Sequence, residues 1–328
     1  MRKLLWIALT ILCPFWTTNA LGQIPRLRAA YSTIAMGQSL VWVTKEAGTF
    51  RDNGLDVDLL FIVSSTTATQ ALIAGDVPIV IMSGATAVNA NLSGQDLVIV
   101  GSTKSEPAQS FLVTAKEITE PSQLRGKKLG VSRIGASSDF LLRYILKRIG
   151  LVPDKDVTIV QVGSSPVRMA ALARGAIDGT ALTFEEMLVA KKVGLNILMD
   201  ASKLGIEALN SDMVTTRRFI RDSREVVKRF VKGMVDGVHF YRNNKKFAME
   251  VISRYTKSED TEKIEQGYTH ETKVYLLKPY PSIRGVQLAL EQIGERNPLA
   301  KTASPEQFID TSFVKELDER GYIDRLYR

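Results

Sequence analysis

The stretch SSTTATQALIAGDVPIVIMS, residues 64–83, recurs a hundred residues downstream as SSPVRMAALARGAIDGTALT, residues 164–183. Extended upstream, residues 30–83 and 130–183 align without a gap. Nine of 54 positions are identical, among them Ser32 with Ser132, Ile34 with Ile134, Asp56-Val57 with Asp156-Val157 and Gly75 with Gly175. Ordinary residue frequencies give roughly three or four. The order of local patterns agrees better than the identities do. In the first copy Leu27–Tyr31 reads as a strand, and Gly37–Asn53 as a helix with Leu40, Val43, Ala47 and Phe50 at spacings of three and four. Asp56–Val63 is the next strand, Ser64–Thr66 starts a helix that Gly75 ends, and Val77–Met82 is a third strand. The second copy predicts strands at Lys128–Val131, Val157–Val162 and Ile177–Leu182, with helices at Ser137–Ile149 and Pro166–Arg174.

Each copy is therefore βαβαβ, an alternation that builds a mostly parallel sheet covered on both faces. Gln109–Thr114 and Ser211–Thr215 are short extended segments that bracket the second copy. They make lobe two (112–213) an insertion into lobe one (23–111 plus 214–328). Past Thr215 the pattern turns helical: Ser223 caps a run with Val227, Phe230, Met234, Val238 and Tyr241 on one face, and Glu259–Leu277, Ile283–Ile293 and Glu306–Leu317 follow.

At the N-terminus Arg2 and Lys3 precede an apolar run, Leu4–Trp16, and small residues at Thr18, Ala20 and Gly22. That is the layout of a secretion signal, too short for a membrane span, with cleavage expected near Ala20 or Gly22. Its removal takes two basic residues from the chain's +8 and leaves +6. The single cysteine, Cys13, leaves with it. A mature chain without cysteine has no disulfide, thiol nucleophile or thiolate metal site. With only His239 and His270 it also lacks a histidine-rich metal constellation, and no cofactor is expected.

Ligands of open α/β sheets bind beyond the carboxyl ends of the strands, where helix N-termini present free N–H groups. The repeat places six loops there: Tyr31-Ser32-Thr33, Ser64-Ser65, Ser83-Gly84-Ala85-Thr86, Ser132-Arg133 with Ser137, Ser164-Ser165, and Thr183-Phe184-Glu185. All open on a hydroxyl residue. Such residues also cap helices, so each loop alone has a purely structural explanation. Together they read as a donor-rich pocket for an anionic or strongly polar small molecule. Ser83–Thr86 reads as an amide nest, Arg133 as a clamp for a carboxylate or sulfonate, and Tyr31 and Phe184 as stacking surfaces. Glu185 would favour an amine or ring N–H. The basic run Arg217, Arg218, Arg221, Arg224, Lys228, Arg229 and Lys232 is a solvated helix face or a docking surface. No nucleic-acid motif accompanies it.

Several segments resemble one family: Ala47-Gly48-Thr49-Phe50-Arg51-Asp52-Asn53-Gly54-Leu55-Asp56-Val57, Ala71-Leu72-Ile73-Ala74-Gly75-Asp76-Val77, Leu124-Arg125-Gly126-Lys127-Lys128-Leu129-Gly130, Ala171–Asp178 and Gly321-Tyr322-Ile323-Asp324. The chain is similar to the NMT1/THI5-like and aliphatic-sulfonate-binding proteins, periplasmic components of ABC transporters. The resemblance implies a type II periplasmic-binding fold, a monomer that closes on one small molecule and docks on an inner-membrane permease. Candidate ligands are a sulfonate, a carboxylate or a nitrogen heterocycle such as a thiamin pyrimidine precursor. A eukaryotic branch of the family makes that pyrimidine with a cysteine-rich motif, which this chain lacks. The alternatives are a periplasmic enzyme on the same fold with Glu185 or Asp139 as base, and a ligand sensor.

Overall fold

A computed structural model describes residues 24–104, 111–204 and 207–328. The secretion signal expected at 1–22, Cys13 included, lies outside the described residues. The first unit runs β1 (Arg26–Tyr31), α1 (Ser39–Glu46), α2 (Thr49–Asp52), β2 (Asp56–Phe61), α3 (Ser65–Ala74), β3 (Ile79–Met82), α4 (Gly84–Asn91) and β4 (Leu97–Ser102). The second runs β5 (Phe111–Thr114), β6 (Lys128–Val131), α5 (Ser137–Arg148), β7 (Thr158–Gln161), α6 (Ser165–Ala173), β8 (Gly179–Leu182), α7 (Phe184–Lys192) and β9 (Asn196–Asp200). Strand β10 (Asp212–Thr216) then leads into α8 (Arg217–Asn243), α9 (Lys245–Thr256), α10 (Thr261–Val274), α11 (Ile283–Ile293), α12 (Ser312–Glu319) and α13 (Tyr322–Leu326).

Two five-stranded sheets result, ordered β2-β1-β3-β10-β4 and β7-β6-β8-β5-β9. The orders are the same once β10 and β5 are matched. Both are crossover strands, antiparallel to their two neighbours, while the others named in each repeat pair in parallel. The chain leaves the first sheet after β4 and returns to it at β10, so a type II periplasmic-binding architecture of two lobes and a helical tail is in place. The repeat also extends further than its sequence pattern: each copy adds a helix and a strand, α4 with β4 and α7 with β9.

Successive strand residues point to opposite faces. Leu27, Ala29, Ile79, Ile81, Val98 and Met213 accordingly pack under the helices of the tail, whereas Ala30, Val80, Met82, Leu97, Ile99 and Val214 pack against Leu72, Val88, Val286 and Leu290. The second sheet divides its residues in the same way.

Two expected helices break. The one expected over Gly37–Asn53 is interrupted at Gly48, whose φ of 83° only glycine adopts without strain. The one expected over Glu306–Leu317 is a short 3-10 turn (Pro305–Phe308) and α12, because extended Ile309 bridges Ile99 of β4. Ser223, expected as a cap, is a non-helical residue (φ −147°, ψ 40°) at which α8 kinks and restarts.

Candidate functional site

A cavity of about 490 Å³ lies between the lobes at the carboxyl ends of β1, β2, β6 and β7. Repeat-related residues line it from both sides: Ser32 and Ser132, Ser64 and Ser164, Ser65 and Ser165. Thr33, Ile34, Met36, Phe61 and Val63 complete the first lobe's wall, and Ser138, Pro166, Arg168, Met169, Glu186 and Val189 the second's. The tail closes the side with Tyr255, Thr256, Lys257, Ser258 and Lys263.

The hydroxyls at the wall differ in how far the fold already uses them. Ser64 caps α3 through Thr67 N–H at 3.4 Å, and does so at φ 69°, a strained value for a residue with a Cβ. Ser164 makes no side-chain cap to α6, where Pro166 in the first turn also removes one N–H. Ser65 Oγ accepts from Ser83 N–H at 3.4 Å and lies 3.5 Å from Ser32 Oγ. Ser132 is paired with Ser138 at 2.9 Å.

The remaining expected residues lie elsewhere, for identifiable reasons. The amide nest at Ser83–Thr86 is already filled. Gly84 N–H donates to Asp212 Oδ2 at 2.8 Å, Ser83 Oγ donates to Leu209 O at 2.7 Å, and Ala85 is buried in the core. Thr86 Oγ1 instead donates across the lobes to Gly135 O at 3.3 Å. Asp212 is fully buried, and desolvation pushes its pKa up to about 7 against hydrogen bonds from Ser102 (2.5 Å) and Gly84. Tyr31 packs edge-on against Trp42 in the core beneath the cavity. Arg133 is exposed and stands off the cavity wall. Ser137 begins α5. Thr183 and Glu186 form a capping box at α7, which commits the threonine to Glu186 N–H at 3.4 Å. Phe184 stacks on His270 of α10 at 5.0 Å, so its ring joins the lobe to the tail. The side chains of Ser137 and Glu185 lie outside what the structure describes. Asp139 is buried, its Oδ2 engaged by Gly135 N–H (2.8 Å) and its Oδ1 by Arg143 (2.6 Å), and it does not line the cavity.

The residue that sequence reasoning missed is Arg168. Its side chain is 1% exposed yet reaches the cavity wall. Nε donates to Thr180 Oγ1 (2.9 Å), Nη1 to Gly163 O (2.8 Å), and Nη2 to Ser165 Oγ (3.1 Å) and Ala181 O (3.2 Å). Gly130 lies beside it, where a Cβ would press on Ile177 and Val162 and reach ordinary contact with the Arg168 Cδ. Among the described residues no carboxylate forms an ion pair with it. Desolvation lowers its pKa, which the field of Glu186 partly offsets. A signal was present in the sequence: Arg168 precedes Ala171 and Leu172 by three and four residues, on the face of α6 that faces inward.

The family model for NMT1/THI5-like proteins matches residues 39–248. The chain belongs to this family. A curated relative, the putative binding protein YtlA of Bacillus subtilis (strain 168), is 19% identical over 274 residues, covering 82% of each chain. Among solved structures, the alkanesulfonate-binding protein SsuA from Xanthomonas axonopodis pv. citri, bound to MOPS, superposes with a TM-score of 0.72 at 16% identity, covering 87% of this chain and 98% of that one. The periplasmic nitrate-binding protein NrtA from Synechocystis PCC 6803 does so with a TM-score of 0.72 at 10% identity, covering 91% and 89%. At these identities the structural matches establish the fold. Among the described residues, no helix is long and apolar enough to cross a membrane, and no group of three or more His, Cys, Asp or Glu side chains is placed to hold a metal ion.

Proposed function

We propose that this NMT1/THI5-like protein is an exported solute-binding component of an ABC importer, which captures one small polar or anionic molecule between its lobes and delivers it to an inner-membrane permease. The observation that carries the reading is the cavity itself, lined by equivalent serines of both repeat copies. Its volume falls in the ~300–1,000 Å³ range of small-molecule sites. A molecule there would touch both lobes at once and so favour their closed arrangement, the basis of hinge closure. The names of YtlA, SsuA and NrtA support a binding role. We place lobe two at 112–213, inserted into lobe one at 23–111 plus 214–328, and expect a monomer located in the periplasm.

Native mass spectrometry of the protein purified from its own periplasm tests this, with a single co-purified small molecule as the expected result. Re-adding that molecule should stabilise the stripped protein by about 2.7 kcal/mol at 100 times Kd. Recovery of chemically altered ligand, or no stabilisation by any sulfonate, carboxylate, heterocycle or amino acid, would overturn the reading.

A further inference from the structure

The two copies of the repeat differ at one buried position in a way that the fold does not require. Position 68 of the first copy is a fully buried alanine packed beside Leu72, whereas its counterpart 168 is a fully buried arginine. The first lobe shows that this βα unit closes well around a methyl group. A guanidinium in the same place carries a large desolvation cost, and its four hydrogen bonds to neutral oxygens recover only part of that. Glu186 offsets part of that cost, and an anion held at the cavity wall would offset more.

The hydrogen bonds show how the charge reaches the cavity. Ser165 Oγ accepts from Arg168 Nη2 at 3.1 Å, which occupies one of its two lone pairs and turns the hydroxyl hydrogen away from the guanidinium, so that it remains to be given away. In the first copy Ser65 accepts from a neutral backbone N–H, that of Ser83. Charge-assisted bonds are the stronger kind and polarise the group that receives them. Next to Ser165, the Ser164 side chain makes no capping bond to its own helix. Among the described residues, the charged side chains at the cavity wall are Arg168, Lys257 and Lys263 against Glu186, a basic surplus. Phe61, Val63, Ile34, Met169 and Val189 supply apolar wall.

We propose that Ser164 and Ser165, with Arg168 beneath them as a positioning residue, form the anion-receiving end of the cavity, and that the ligand carries one negatively charged head on a short apolar body. This rests on the solute-binding reading above. It assigns discrimination between anions and neutral or cationic analogues to lobe two.

Four probes sharing one ring separate the possibilities: benzoate, benzenesulfonate, benzyl alcohol and benzylamine, titrated calorimetrically beside inorganic sulfate. One or both organic anions should bind, while the alcohol, the amine and sulfate bind at least tenfold more weakly. Arg168→Met should weaken the anion by roughly tenfold to a hundredfold, the span of a charge-assisted hydrogen bond, and leave the weak alcohol binding unchanged. Arg168→Lys should restore part of it. Ser165→Ala, which keeps the buried cation and its other partners, guards against a folding defect and should reproduce most of the loss. Equal affinity for anion and alcohol, or anion binding unmoved in both variants, overturns the assignment while leaving a solute-binding protein in place. Failure of every probe, together with no co-purified molecule, overturns both.

Discussion

Asp212 opens β10 and carries its carboxylate to the first turn of α4, where Gly84 N–H and the Ser102 hydroxyl hold it without exposed surface. Burial raises its pKa to about 7, whereas an unfolded chain loses that proton near pH 4. Between those values the folded state binds more protons than the unfolded one, so this group makes stability fall as pH rises from about 4 to about 7. Asp212→Asn is expected to flatten that part of the curve, removing a slope worth on the order of a few kcal/mol. Urea denaturation at four or five pH values checks it, and an unchanged slope would assign the effect elsewhere. Carboxylates held low, such as Asp154 by its hydrogen bond from Arg143, act only at lower pH and in the opposite sense. Asp212 also shows why the site was half legible. The six hydroxyl-led loops were visible in the repeat, but Ser83 and Thr183 turn inward to Leu209 O and Glu186 N–H. The partners that silence the Ser83–Thr86 loop, Leu209 and Asp212, come from more than a hundred residues away. Arg133 was conspicuous because it sits in a loop, and Arg168 was overlooked because it sits in a helix.

At the scale of elements, α8 decides how the tail meets the first lobe. Part of its basic run is tied into the rest of the tail and the first lobe, while Arg218 and Arg221 stay exposed. Arg217 donates to Gln307 O, Arg224 bonds Ser312 and lies 4.4 Å over the ring of Phe313, and Lys228 pairs with Glu316. Lys232 joins Asn53, Asp236 and Tyr322. Its opposite face carries Gly233 and Gly237, one helical turn apart, at which Phe50 and Thr44 approach the helix backbone. A methyl at Gly237 would overlap the Thr44 hydroxyl, which is bonded to Leu40 O at 2.7 Å. Gly237→Ala should therefore cost about 1–2 kcal/mol in spite of the ~1 kcal/mol that alanine contributes to helix propensity. A melting temperature equal to or above that of the parent would contradict this packing. The heptad-like apolar spacing of α8 was legible from Val227 to Tyr241. The contacts of its charged face were not, because they depend on where α12 and α13 return.

For the molecule as a whole, the gapless repeat was enough to read two equivalent lobes, since a strand and helix order that recurs at a fixed offset admits few topologies. It stopped short at α4–β4 and α7–β9, where the copies have diverged. The lobes meet through Thr86 with Gly135 on one flank, and through Phe184 on His270 and Lys192 with Asp260 (3.7 Å) on the other. The filled nest in lobe one has a kinetic consequence. With Asp212 already seated on α4, the first lobe has less to offer an arriving anion than lobe two, whose Ser164 hydroxyl caps no helix. On the proposed anion-binding reading, capture and retention are expected to be separable steps, the ligand landing on lobe two and lobe one arriving as the cover. In stopped-flow binding, Ser164→Ala should slow association, whereas Ser32→Ala should leave association nearly untouched and speed release. Equal effects of both variants on both rates would mean that the halves act together, and the inequality between two copies of one unit would have no bearing on the order of events.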